Sequence, residues 1–209
     1  MNFPRATYRL QLRAEFGFNH AAAIAPYLAR LGVSHVYLSP IFKARPGSVH
    51  GYDITDHNEL NPELGTEDGY ASMIEAFRRE GLGRILDVVP NHMGVWGADN
   101  PLWLDVLECG PYSQYAGWFD IDWSAQEGKL LAPVLGAQYG EELRSGKLRL
   151  NFESDGSFAV WAYESHKLPI SPLTFPRILG HQNSALDRMA DLFSTSRNGG
   201  RRWRRERAR

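Results

Sequence analysis

Between Arg84 and Gly94 the chain reads RILDVVPNHMG, an apolar run that delivers Asp87, Asn91 and His92 to a proline-bent turn. Earlier, ARPGSVHGYDITD places Tyr52 beside Asp53 in a polar stretch. Carboxylate, amide and imidazole groups bond well to hydroxyls, and an aromatic ring offers a flat apolar face. A pyranose needs both, because its hydroxyls seek polar partners while its C–H face packs on a ring. Phosphate chemistry would instead need a glycine-rich loop at a helix start with a nearby cation, and none follows these runs. Tyr52, Asp53, Asp87, Asn91 and His92 are therefore the candidate substrate-binding residues. No nucleophile or acid/base pair is assigned, and neither a metal nor a cofactor is expected. His50, Asp53, Asp56 and His57 lack the fixed spacing of a metal site.

Each of these residues also has a structural reading. A strand-end carboxylate can cap a turn, a histidine can be a satisfied structural group, and aromatics dominate core burial. Tyr52 alone among the rings is assigned to ligand contact; Trp96, Trp103, Trp118, Phe119 and Trp123 are left between core and platform.

The elements that must position these groups follow from periodicity. ATYRLQL puts Tyr8, Leu10 and Leu12 on one face of a strand. A helix opening at Asn19 carries Ile24, Tyr27, Leu28 and Leu31 at helical spacing and stops at Gly32, with Pro26 expected to kink or delay it. HVYLSP is a second strand, followed by a long polar loop. Thr66 caps a second helix with Tyr70, Met73, Ile74 and Phe77 as its buried stripe. RILDVVP is the third strand. Strand alternating with helix implies parallel pairing and an α/β layered or barrel fold, with ligands at the carboxyl ends of the strands. Asp87, Asn91 and His92 lie at or just beyond such an end.

From Met93 the composition turns glycine- and aromatic-rich, and KLRLNFESDGSFAVWAY reads as two strands around a turn. Leu186, Met189, Ala190 and Phe193 return to helical spacing. The domain expectation is residues 1–92 as the first part of an α/β unit, 93–172 as an inserted excursion, 173–196 as a helical return and 197–209 as a disordered basic tail.

The 209 residues, 43% of them hydrophobic, can bury a core. A formal charge of −1 hides an asymmetry. From Arg197 onward seven arginines face Glu206 alone, so the tail carries +6 and the rest −7. That tail, with Trp203, admits nucleic-acid binding as a rival function. One cysteine, no secretion signal and no apolar run of membrane-spanning length suggest a cytoplasmic protein without membrane attachment.

DVVPNH resembles the first motif of the α-amylase family, family thirteen of the glycoside hydrolases. YRLQL, LGVSHVYLSPIFKARPGSVHGYDITD, NPELGTEDGY, YAGWFDIDW and PVLGAQYG are similar to its trehalose-forming branch, over roughly residues 3 to 193. The resemblance implies the N-terminal part of a (β/α)8 barrel, about three βα units, with an excursion inserted after the third strand. It implies an isomerase that converts the reducing-end α-1,4 bond of a maltooligosaccharide into an α,α-1,1 bond, with the aromatic excursion as a water-excluding lid. A hydrolase of the same family is the alternative. In the family the tyrosine matching Tyr52 stacks on the sugar at subsite −1, and the histidine matching His92 bonds its 6-hydroxyl. The aspartate matching Asp87 orients an arginine on the next strand, and Asp53 matches a position that binds the chain end in exo-acting members. Asn91 matches a calcium-holding residue of many amylases, and no calcium site is carried over. The family's nucleophile and acid/base carboxylates have no counterpart in this sequence. The tail reads as a truncated or frame-shifted continuation, so the chain alone is expected to lack turnover and, with open sheet edges, to be marginally stable or prone to aggregate.

Overall fold

A computed structural model describes residues 3–125 and 127–179. The helical spacing at Leu186, Met189, Ala190 and Phe193 and the basic tail from Arg197 lie outside the described residues. The chain divides into two compact units, one running to Asn100 and the other starting at Pro101.

In the first unit, β1 (Thr7–Leu10), α1 (Phe18–Ala23), α2 (Ala25–Leu31), β2 (His35–Leu38), β3 (Phe42–Ala44), β4 (Ile54–Leu60), α3 (Glu67–Arg79) and β5 (Gly83–Leu86) follow one another. β1, β2 and β5 form a parallel sheet in that order, with Arg9 beside Tyr37 and Tyr37 beside Ile85. Alternation then sorts the two faces. Leu10, Leu12, Val36 and Leu38 join Phe18, Ala21, Ala25, Leu28, Met73 and Phe77 in one buried core under the helices. Arg9, Gln11, Tyr37 and Asp87 belong to the opposite alternation.

The predicted kink is a complete break. α1 ends before Ile24, and Pro26 sits in the first turn of α2, where its missing N–H was unpartnered anyway. The expected stripe is corrected as a result: Ala21, Ala25 and Leu28 are buried, whereas Tyr27 and Leu31 are about half exposed. Ala21 in the first helix and Ala25 at the start of the second both lie in the buried cluster. α2 ends on Gly32 in the left-handed conformation. Thr66 caps α3 by accepting from the Gly69 N–H at 3.1 Å, and Met73 and Phe77 are fully buried with Tyr70 and Ile74 partly so.

The polar stretch after β2 is not simply a loop. β3 and β4 pair as an antiparallel ribbon with register shifts at Lys43. Ile54 and Thr55 are buried while Asn58 and Glu59 are exposed, so its burial pattern lacks the clean alternation that announces a strand. The regular part of the third strand is also shorter than RILDVVP, ending at Leu86, although the Asp87 N–H still donates to the Leu38 carbonyl at 2.9 Å.

The second unit contains α4 (Pro101–Cys109), α5 (Tyr139–Arg144), β6 (Leu148–Phe152), β7 (Phe158–Ala162), β8 (His166–Pro169) and α6 (Phe175–Leu179). The expected pair of strands is a three-stranded antiparallel sheet with β7 at its centre. β8 escaped notice because His-Lys-Leu-Pro has little strand propensity. Among the described residues its buried cluster gathers Phe158, Phe175 and Leu179, and Trp103, Val106, Ala159 and Ala162 are buried as well. Among the described residues no helix is long and apolar enough to cross a membrane.

Candidate functional site

Asp87 stands two residues beyond Ile85, where β5 leaves the parallel sheet, so its side chain shares the face of Arg9 and Tyr37. Three donors converge on one of its oxygens. Arg9 Nη1 is 3.1 Å from Oδ2, the Tyr37 hydroxyl 3.0 Å and the Tyr52 hydroxyl 2.5 Å. Oδ1 takes no partner among the described residues, and the side chain is 17% exposed. The Tyr52 hydroxyl bond, opposed by burial and helped by Arg9 and Tyr37, holds the Asp87 carboxyl below the usual carboxylate range. The same bond raises the Tyr52 phenol above its ordinary value, so it stays neutral and donates.

Tyr52 is fixed from several sides. Its hydroxyl accepts from Arg9 Nη2 at 2.9 Å while donating to Asp87. Its backbone N–H donates to His50 Nδ1 at 3.0 Å, and the two rings stack with centroids 6.0 Å apart. Its carbonyl faces His92 Nε2 at 3.2 Å. A carbonyl only accepts, so Nε2 carries the proton there. His92 Nδ1 lies 3.2 Å from the Asn91 side-chain oxygen, and both residues are exposed.

Asp53 faces the loop that precedes it. Its Oδ1 accepts from the Ser48 hydroxyl at 2.5 Å and sits 3.9 Å from His50 Nδ1. Ser48 Oγ also accepts from the Gly51 N–H, so this carboxylate closes the turn that presents Tyr52. The turn carrying Asn91 and His92 is held from β4: His57 Nε2 donates to the Val89 carbonyl at 3.0 Å, and the Gly94 N–H donates to the Ile54 carbonyl at 2.8 Å. At Gly94 a β-carbon would lie 2.8 Å from the Asp53 carbonyl oxygen, so only glycine allows this approach.

The structure thus brings Tyr52, Asp87 and His92 to one place, with Asn91 at its edge and Asp53 behind it. Sequence reasoning missed Arg9, Gln11, Tyr37 and His57. For Arg9 and Gln11 the signal was present: two polar residues alternate with Leu10 and Leu12, on the face that the core leaves open. His57 was weighed only as a metal-cluster member beside His50, Asp53 and Asp56, because its strand was itself unrecognised. Among the described residues no group of three or more His, Cys, Asp or Glu is placed to hold a metal.

Residues 24–166 match the family model of the alpha amylase catalytic domain. The chain is 46% identical over 165 residues to a Mycobacterium tuberculosis protein assigned as a maltooligosyl trehalose synthase, covering 72% of this chain and 22% of that one. It is 40% identical over 95 residues to the maltogenic alpha-amylase of Bacillus acidopullulyticus, covering 46% and 15%. The solved maltooligosyltrehalose synthase of Arthrobacter ramosus superimposes with a TM-score of 0.73 at 40% identity, covering 88% of this chain and 23% of that one. The chain therefore spans less than a quarter of the length of these relatives. Its three parallel strands and their helices are the N-terminal part of a (β/α)8 barrel, and their polar tips meet where such barrels keep their ligands. With the strand-end aspartate, the asparagine–histidine turn and most of the chain's length matched together, this protein belongs to the α-amylase family.

Proposed function

We propose that this chain forms the sugar-holding part of a maltooligosyltrehalose synthase site, whose whole reaction turns the reducing-end α-1,4 bond of a maltooligosaccharide into an α,α-1,1 bond. The observation that carries the reading is the clamp joining the Tyr52 hydroxyl, the Asp87 carboxylate and, through the Tyr52 carbonyl, His92. Tyr52 offers a ring that cannot turn freely, suited to the C–H face of a glucose unit. Asp87 offers Oδ1 to a sugar hydroxyl. His92 exchanges its 3.2 Å bond to the Tyr52 carbonyl for a ligand hydroxyl, one hydrogen bond for another. Asn91 and Asp53 shape the two turns. The stretch 1–92 acts as barrel, 93–172 as excursion, and the protein works in the cytoplasm on soluble α-1,4-glucans.

Binding is the role of these groups; bond cleavage is not. A retaining reaction needs two carboxyls about 5 Å apart across the bond, one attacking and one protonating the leaving oxygen. Asp87 has one oxygen saturated by donors, and Asp53 is tied to Ser48. The chain by itself holds a maltooligosaccharide without converting it. Incubation of the purified chain with maltopentaose checks this: bound sugar and unchanged substrate are expected, and a non-reducing product ending in trehalose would refute it. Likeness to the maltogenic alpha-amylase over 95 residues keeps hydrolysis as the second reading. Release of reducing sugar by a longer chain carrying this segment, without the non-reducing isomer, would select it.

A further inference from the structure

We infer that Arg9, supported by Gln11, is a positioning residue that sets the tilt of the Tyr52 ring and thereby the fit of a glucose unit on it; this rests on the sugar-binding reading above. One guanidinium makes both critical contacts, Nη1 to Asp87 Oδ2 at 3.1 Å and Nη2 to the Tyr52 hydroxyl at 2.9 Å. It is itself immobilised, with Cζ 4.8 Å from the centre of the Tyr37 ring and Nη2 3.3 Å from Gln11 Oε1. Gln11 then reaches on to the same loop, its Nε2 donating to the His50 carbonyl at 3.1 Å. Two alternate residues of the β1 segment thus grip the Tyr52 loop at its tip and two residues before it. Neither contact belongs to the apolar core, which lies on the other alternation of β1.

A planar fork bonding two oxygens at once fixes an angle as well as a distance, which an ammonium cannot do. Arg9 is partly exposed, so its contacts contribute little to global stability compared with what they contribute to orientation. The groups that face Asp87 are Arg9 from β1, Tyr37 from β2 and Tyr52 from the loop.

The test uses the 209-residue chain with Arg9→Met and Arg9→Lys. Maltopentaose affinity is measured by calorimetry, and the Asp87 carboxyl titration by carbon-13 NMR. Arg9→Met is expected to weaken maltopentaose about tenfold, the size of one lost charge-assisted bond, and to move the Asp87 titration upward. Arg9→Lys restores the titration through its charge and leaves the affinity weakened, a split that a merely structural role would not produce. If Arg9→Met does not fold, the loss of affinity in Arg9→Lys decides the matter. Unchanged affinity in either folded variant overturns the inference. Should the unaltered chain fail to bind maltopentaose while Arg9→Met still shifts the Asp87 titration, the sugar reading falls and the hold of Arg9 on Asp87 stands.

Discussion

Each unit of the molecule clamps a carboxylate on its sheet, and the two clamps differ in one respect. In the antiparallel sheet Glu153 gives Oε1 to the Trp161 indole N–H and Oε2 to Lys167 Nζ, both at 2.9 Å. In the parallel sheet Asp87 receives three donors on Oδ2 and, among the described residues, none on Oδ1. Both acids are held below their ordinary range, Glu153 first by Lys167 and Asp87 first by the Tyr52 hydroxyl. A depressed pKa therefore does not separate a structural carboxylate from a binding one. The proposed binding role of Asp87 rests instead on its open Oδ1 taken together with its place at the carboxyl end of a parallel strand.

The supporting cores differ too. The first unit packs its sheet and three helices around a continuous cluster containing Phe18, Met73 and Phe77, whereas the second, among the described residues, gathers Phe158, Phe175 and Leu179. Tyr112, Trp118 and Tyr139 are more than half exposed in the second unit. A deep core is what a preorganised polar site requires, since each supporting rotamer must be locked by packing. Truncating that core gives the largest expected effect. Phe77→Ala should cost the first unit about 4 kcal/mol, and Phe175→Ala, which loses the edge-on contact with Phe158, should cost the second about 3 kcal/mol. Peptide-resolved hydrogen exchange measures both, and the reverse order would break the comparison.

A smaller effect tests the support of the site itself. Gly94→Ala puts a β-carbon 2.8 Å from the Asp53 carbonyl oxygen. The backbone must shift, at an expected cost of about 1–3 kcal/mol. Faster exchange should be confined to the strand-end turn and to the segment around Tyr52, leaving β6, β7 and β8 unaffected. Below that comes Thr66→Ala, which removes the cap of α3 and should lower stability by about 1 kcal/mol, read from the denaturation midpoint.

What was legible in the sequence follows the same division. The first unit obeys simple periods: Leu10 and Leu12 alternate, Met73 and Phe77 recur at helical spacing, and Thr66 announces its helix. DVVPNH could be placed at a strand end from chain order alone. What stayed hidden depends on long-range pairing. Nothing local says that Arg9 lies beside Tyr37, because a parallel register is set by crossovers rather than by neighbouring residues. β4 mixes buried Ile54 and Thr55 with exposed Asn58 and Glu59, so the role of His57 disappeared with the strand that carries it. In the second unit β8 is recognisable only by its partner, Ala159 facing Pro169 and Ala162 facing His166.

The smallest expected effect returns to the two carboxylates. A carboxyl whose folded pKa is depressed contributes stability that is present above its unfolded value, near 3.9 for aspartate and 4.3 for glutamate. That contribution is lost as pH falls through the folded value. Both units should therefore be insensitive to these groups near neutrality and weaken below about pH 4. The Asp87 side chain is 17% exposed and that of Glu153 is 18% exposed, so screening keeps each contribution on the order of 1 kcal/mol or below. Glu153→Gln should reduce the acid limb of the second unit alone, where Glu142 is also held low against its burial by Lys147, and Asp87→Asn should flatten that of the first. Exchange rates followed from pH 6 to pH 3 resolve the two. A ligand sharpens the contrast: with Oδ1 bonded to a sugar hydroxyl, maltopentaose should shift the Asp87 limb to lower pH. The Glu153 limb, whose two oxygens are already engaged, should stay where it is.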